Sequence, residues 1–180
     1  PKKKPPVKPE DKVNVEVWNT HDLRVMPRQR VSAGADINRT DLCVWHLDDD
    51  SFQKVDDGDL QSAILLPDFH HAIVADAKPY ASSVTNGVDY EDDWLVNTRT
   101  GEKTRLLSKS QWGAIPSRTG RYVAYYDRKN WWLYDVTADK RRSLTGDVKV
   151  PFENTEDDHT IPEKPPAGFP LFLKNDDGVL

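Results

Sequence analysis

The chain has 180 residues, with 30 acidic against 25 basic side chains and a formal net charge of −5. That balance argues against a nucleic-acid surface resting on net charge, and no apolar run approaches the roughly 18 residues of a membrane span. The single cysteine, Cys43, has no internal partner, so no disulfide within the chain staples the fold and the compartment stays open.

Residues 1–12 open the chain with Pro1-Lys2-Lys3-Lys4-Pro5-Pro6-Val7-Lys8-Pro9-Glu10, which carries neither an initiating Met nor an apolar signal segment. They read as a stiff, charged linker interior to a longer chain. A basic run of this kind is also the composition of a nuclear or nucleic-acid address, a reading set second to the linker. Val13-Asn14-Val15-Glu16-Val17-Trp18 alternates strictly and predicts a strand with one buried face. In Asp22 to Arg30, Pro27 disfavours a continuous helix. Arg24, Arg28 and Arg30 have the charge to hold a carboxylate or phosphate, but a solvated basic edge is the plainer reading.

The plan of the chain is clearest from Gly120 to Lys140. Two aromatic-rich runs, Tyr122 to Tyr126 and Trp131 to Val136, flank Asp127-Arg128-Lys129-Asn130. Each is strand-length, and the pair predicts a hairpin turning at Arg128-Lys129. A second turn, Thr137-Ala138-Asp139-Lys140, leads into another strand. Neither run alternates cleanly, as expected of strands covered on both faces. Leu133 to Lys140 aligns with Leu95 to Glu102, about 38 residues earlier, and with Val44 to Ser51, about 51 residues earlier still. Upstream, Ala63 to Pro67 and His71 to Ala75 match Gly113 to Pro116 and Arg121 to Tyr125. Four strands recurring every 40 to 50 residues, roughly, is the period of a β-propeller blade.

The expected fold is therefore all-β: a β-propeller fragment of about two four-stranded antiparallel blades plus parts of flanking blades. Blade parts are expected over residues 13–58, 59–108 and 109–146. A long polar loop over 147–167, with Pro151, Pro162, Pro165 and Pro166, leads to a truncated next blade over 168–180. In that last part Asn175-Asp176-Asp177-Gly178 is a hairpin turn, with only Val179-Leu180 of the return strand after it. This is expected to be the edge of a piece cut from a longer protein. An ordinary β-sandwich with coincidental hairpins is the competing architecture.

The chemistry-bearing candidates are few. No Gly-x-Ser-x-Gly frame, phosphate-cradling glycine loop or His-Glu-x-x-His occurs. Ser51-Phe52-Gln53-Lys54 matches Ser-x-x-Lys but follows a hairpin turn. His70 and His71 are adjacent, so on a strand they face opposite ways and cannot share a metal. Glu153, Glu156, Asp157, Asp158 and His159 offer oxygen ligands without the spacing of a calcium loop. A solvated acidic loop, mobile and without tight divalent-metal binding, is expected there. Asp48-Asp49-Asp50 suits a tight turn. Asn38-Arg39-Thr40 is a formal glycosylation sequon that matters only in a protein secreted by a eukaryote. Trp94, Trp131 and Trp132 lie in apolar strand contexts and are expected in the core, not on a sugar- or peptide-binding groove. No catalytic, cofactor-binding or metal-binding residue is assigned, and no cofactor is expected.

Three sets of residues carry a resemblance. They are Val15-Glu16-Val17-Trp18 with Asp22-Leu23-Arg24 and Pro27-Arg28-Gln29; Gly120 to Asp127 with Trp131 to Asp135; and Val150-Pro151-Phe152-Glu153-Asn154 with Glu156 to His159. Together they resemble the β-propeller region of the prolyl oligopeptidase family of serine peptidases, particularly its large bacterial members. The hairpins are also similar to those of the Tol-system propeller. The resemblance implies a non-catalytic propeller segment that shapes or gates peptide access to a hydrolase domain of the same parent chain. The catalytic Ser, Asp and His would lie in that domain, outside this chain, and a periplasmic or secreted location is implied by the resemblance alone. Some members hold the substrate's amino terminus through paired Glu residues, and no Glu-Glu pair occurs here. A propeller serving as a protein-interaction platform, with no enzyme attached, is the alternative, and a carbohydrate-binding propeller a third. Cut blade faces imply self-association of the isolated piece, with neither nucleic acid nor membrane as partner.

Overall fold

The computed structural model describes Val15 and residues 17–81 and 88–180. The linker expected over residues 1–12 lies outside these. The chain divides into two compact units, Pro1–Arg39 and Thr40–Leu180.

In the first unit the only α-helix among the described residues, α1 (Met26–Ile37), has Pro27 in its first turn and buries no side chain. A proline there removes an N–H that would have no helical partner anyway, and its fixed φ suits the helix start. No continuous helix runs from Asp22 to Arg30, as expected; Pro27 instead sits in the first turn of one that starts at Met26. Of the strand expected over residues 13–18, Val15, Val17 and Trp18 are described; none lies in a strand and all three are exposed. Alternation shows which face a strand would bury, but no neighbouring strand pairs with these residues.

The second unit is built from strands in three antiparallel sheets. A hairpin of β1 (Cys43–His46) and β2 (Ser51–Lys54) comes first. Next is a four-stranded sheet whose spatial order follows the chain: β3 (Gln61–Leu65), β4 (His71–Asp76), β5 (Glu91–Asn97) and β6 (Lys103–Ser110). The third sheet repeats that order with β7 (Ala114–Pro116), β8 (Tyr122–Asp127), β9 (Asn130–Asp135) and β10 (Lys140–Ser143). A closing hairpin follows, where Phe172 bridges Val179 and the Leu171 and Leu180 backbones exchange hydrogen bonds of 2.9 Å.

Turn chemistry sets these hairpins. Arg128 and Lys129 both take positive φ, 50° and 67°, the geometry of a two-residue hairpin turn that matches strand twist. The aligned repeat has a shared backbone cause. Asp50, Gly101 and Asp139 occupy equivalent positions in the three copies, and all have positive φ, between 52° and 72°. In two copies the short polar residue before the turn does the same work. The Asn97 side-chain oxygen accepts from the Arg99 and Thr100 N–H groups, and Asp135 accepts from Thr137 and Ala138.

The doubly apolar strands are divided residue by residue between two faces. Ile73 and Leu95 of the second sheet pack with Val123, Tyr125 and Tyr134 of the third. Their neighbours Ala72, Val74 and Val96 face the other way, against Val44 and Val55. In the third sheet Ala124 and Leu133 turn outward onto Phe172 and Val179. The unit is thus a stack of four layers, hairpin, sheet, sheet and hairpin, with an apolar seam at each junction. Each four-stranded sheet gains core from both sides.

Polar ties join the same layers. Arg99 pairs with Asp48 of the first hairpin, and the His46 ring nitrogen lies 3.0 Å from the Thr98 carbonyl oxygen. The Asp176 carboxylate accepts from the Ser117 hydroxyl at 2.6 Å and from the Arg118 N–H at 3.1 Å. Gly120, just before β8, packs tightly against the β3–β4 turn: its φ is +80° and a Cβ there would stand 2.6 Å from the Asp68 backbone nitrogen. Gly120→Ala is therefore expected to cost about 1–3 kcal/mol through overpacking and backbone strain. Urea denaturation measures it, and an unchanged midpoint would contradict the tight junction.

The connection over residues 147–167 closes on itself. Glu153 bridges Pro166, the Asn154 N–H donates to the Pro165 carbonyl at 2.7 Å, and the Ala167 N–H donates to Phe152 at 2.9 Å.

Candidate functional site

A group of buried and half-buried acids lies at one end of β5 and β6. Glu91-Asp92-Asp93 start β5, and the β5–β6 register shifts twice there, between Glu91 and Asp93 and between Asp93 and Trp94. Lys109, in the bulged stretch of β6, takes φ +56°. A bulge leaves ladder groups unpaired and re-aims side chains. Asp92 supplies the missing partner: its carboxylate accepts the Lys109 backbone N–H at 2.8 Å and the Tyr80 hydroxyl at 2.7 Å. Burial first, and then this bond to a carboxylate, raise the Tyr80 pKa and keep its proton in place.

Beside this network is a cleft of about 540 Å³ lined, among the described residues, by Pro79, Tyr80, Val88, Tyr90, Lys109, Thr160 and Pro162. The Tyr80 and Tyr90 rings tilt against each other at 6.0 Å, and the Lys109 ammonium stands 4.9 Å from the Tyr90 ring centre. The result is an aromatic and proline wall with one cation fixed over it.

The neighbouring carboxyl on β5, Asp93, has a different role. Asp93 is 1% exposed, and one of its carboxylate oxygens has no hydrogen-bond partner. Burial, and then the neighbouring Glu91 and Asp92 charges, push its pKa up to about 7. Glu91 is raised as well, by burial and then by Asp89. None of these residues stood out in the sequence. The visible signal was three consecutive acids leading into the apolar run Trp94-Leu95-Val96.

The residues singled out from the sequence take structural posts. Arg24 pairs with Asp36 at 2.8 Å within the first unit. Ser51 and Lys54 lie three apart on β2 and so face opposite sides. Lys54 instead pairs with Asp41 at 2.8 Å. The His71 ring meets the Asp68 carboxylate at 2.7 Å, while the His70 carbonyl accepts from Thr98. An Asp–His pair can orient a base, but among the described residues no serine hydroxyl is bonded to that ring. In the acidic loop Glu153 pairs with Lys129 at 2.9 Å, and Asp157 accepts from the His159 backbone at 3.0 Å. No group of three or more His, Cys, Asp or Glu among the described residues is placed to hold a metal. Asp48 is held down to about 2 by hydrogen bonding from Arg99. Asn38 caps the end of α1 and donates to the Gly34 carbonyl at 2.8 Å. Trp131 is buried, and Trp94 and Trp132 pack at the margins of two clusters.

The fold defines a mostly-β protein of stacked antiparallel sheets. No protein-family model matches the chain, and no curated protein matches it.

Proposed function

We propose that the stacked sheets are consecutive blades of a β-propeller, and that this propeller belongs to a serine peptidase of the prolyl oligopeptidase family. Within it the segment is non-catalytic and shapes peptide access to a hydrolase domain outside this chain. The observation that supports the propeller reading best is the pair of four-stranded sheets with the same sequential strand order, each clad on both faces. Radial stacking of such sheets is how propellers bury strands that are apolar on both sides. The peptidase half is supported by the resemblance of Val150 to Asn154 and Glu156 to His159, and by the cleft of Tyr80, Tyr90 and Lys109, which gives a passing peptide a surface to rest on.

Two measurements test the reading. The 180-residue chain alone is expected to show no turnover of chromogenic dipeptides or esters, since no nucleophile, base and orienting acid can be assembled from its described residues. Turnover lost on mutating one of its own serines would overturn this. The product of the whole reading frame is expected to react with a fluorophosphonate at a Gly-x-Ser-x-Gly serine outside these residues, and to cleave short peptides in preference to folded proteins. A reading frame without such a serine removes the peptidase and leaves the interaction platform.

A further inference from the structure

At one end of the second sheet the ladder between β5 and β6 is broken twice. From the Trp94–Arg105 pair to Asp93–Leu107 and on to Glu91–Ser110, β5 advances one residue and then two, while β6 advances two and then three. Ser108 and Lys109 therefore lie opposite Asp92 alone, outside the regular ladder. Side chains hold them there. Asp92 accepts the Lys109 N–H at 2.8 Å and the Tyr80 hydroxyl at 2.7 Å, and Tyr80 also meets the Ser108 side chain.

Asp93 lies on the other face of β5, two residues from Leu95, and so at the end of the apolar seam with the third sheet. It is buried, and one of its oxygens has no partner among the described residues. The charges that act on it, Glu91 and Asp92, are both of its own sign. β4 places Ala75 directly opposite, and the nearby Asp76 is held by the Gln61 side chain and the Lys78 N–H. β6 places Leu107 opposite, while the Lys109 ammonium is turned over the Tyr90 ring. From the third sheet Tyr125, Tyr134 and Arg141 reach the seam; Tyr134 meets Asp139, and Arg141 lies over the Trp132 ring and beside Tyr125.

We propose that Asp93 is a proton-operated latch: protonated, it keeps the broken ladder shut, and ionised, it lets residues 108–110 part from β5 and frees Tyr80 from Asp92 while both sheets stay folded. This depends on neither the propeller nor the peptidase reading. An unpaired carboxylate in an apolar seam has to draw in water. Water reaches it most cheaply where the ladder is already interrupted, because opening there breaks the Asp92 contacts and no long run of ladder bonds. Asp93 keeps its proton up to about 7 when closed, against 3.8 for an ordinary Asp, so opening becomes easier as pH rises between those values and levels off above. Tyr80 and Lys109 also line the cleft, so the latch sets the shape of its wall.

Hydrogen exchange of the Lys109 N–H, followed by NMR on the 180-residue chain and corrected for the intrinsic rate, tests this. Its protection is expected to fall by up to about tenfold per pH unit from roughly 5 to 7 and then to level off. At a fixed pH it is expected to be insensitive to low urea, as local openings are, whereas the β8 amides lose protection with urea. In Asp93→Asn most of the pH dependence is expected to disappear. A Lys109 amide that follows urea together with β8 opens only with the whole unit and overturns the latch. A wild-type profile flat in pH overturns it too, as does an Asp93→Asn profile that keeps the wild-type slope. The urea and pH series on the wild-type chain decide the matter even if the variant does not fold.

Discussion

Tyr125→Ala is expected to lower the stability of the chain by about 3–5 kcal/mol, the range for deleting a large buried ring. Tyr125 is 2% exposed and lies in the seam between the two four-stranded sheets, among Leu66, Ile73, Leu95 and Val123. Removing the ring leaves a cavity bordered by two sheets, neither of which can collapse into it without shifting its own ladder. A domain of this size has only about 5–15 kcal/mol to lose. The same truncation at Phe52, which points away from the stack, is expected to change stability by no more than about 0.5 kcal/mol. Urea denaturation at low protein concentration, where self-association does not contribute, measures both. Equal effects at the two positions would refute the layered core.

Asp93→Asn is expected to change the pH dependence of stability, with the gain on the alkaline side. An unfolded Asp ionises near 3.8, while the buried Asp93 carboxyl holds its proton up to about 7. Between those values the folded chain carries the extra proton, so stability falls as pH rises from about 4 towards 7 and levels off above it. The full penalty is on the order of 4 kcal/mol, and Glu91, raised by burial and Asp89, acts in the same direction. Asp135 and Asp176 are held low and work with the opposite sign: their contribution is present above the ordinary carboxylate range and is lost as pH falls below it. The wild-type optimum is therefore expected in the mildly acidic range. Thermal unfolding from pH 4 to 9, roughly, should show the Asn variant drawing ahead of wild type between about 4 and 7 and keeping that lead above 7. Parallel profiles would rule out the buried acid as the cause.

How much of this was legible in the sequence varies by element. The hairpins were, because a turn is decided by neighbouring residues: a positive φ at Asp50, Gly101 and Asp139, and an Asx acceptor at Asn97 and Asp135. The acidic bulge was not. Nothing local marks Lys109 as a residue of positive φ, and that backbone turn is what draws the Asp92 carboxylate inward and sets the bulge beside Asp93. The described residues of the segment 13–18, Val15, Val17 and Trp18, lie in no strand for the converse reason. Its alternation is as good as any in the chain, but a ladder needs a partner strand, and its described residues have none.

The sequence by itself determined the antiparallel hairpins, their turn positions and the strands that are apolar on both faces, because these depend on side-chain period and turn conformations spanning a few residues. Only the tertiary structure decided which layer each face meets. Trp45 and Trp131 sit in similar apolar strand contexts, yet one is 63% exposed and the other 5%. The difference is whether a further layer lies beyond the strand. Burial depends on the surface a neighbour removes from water, and the strand's own residues do not contain that neighbour.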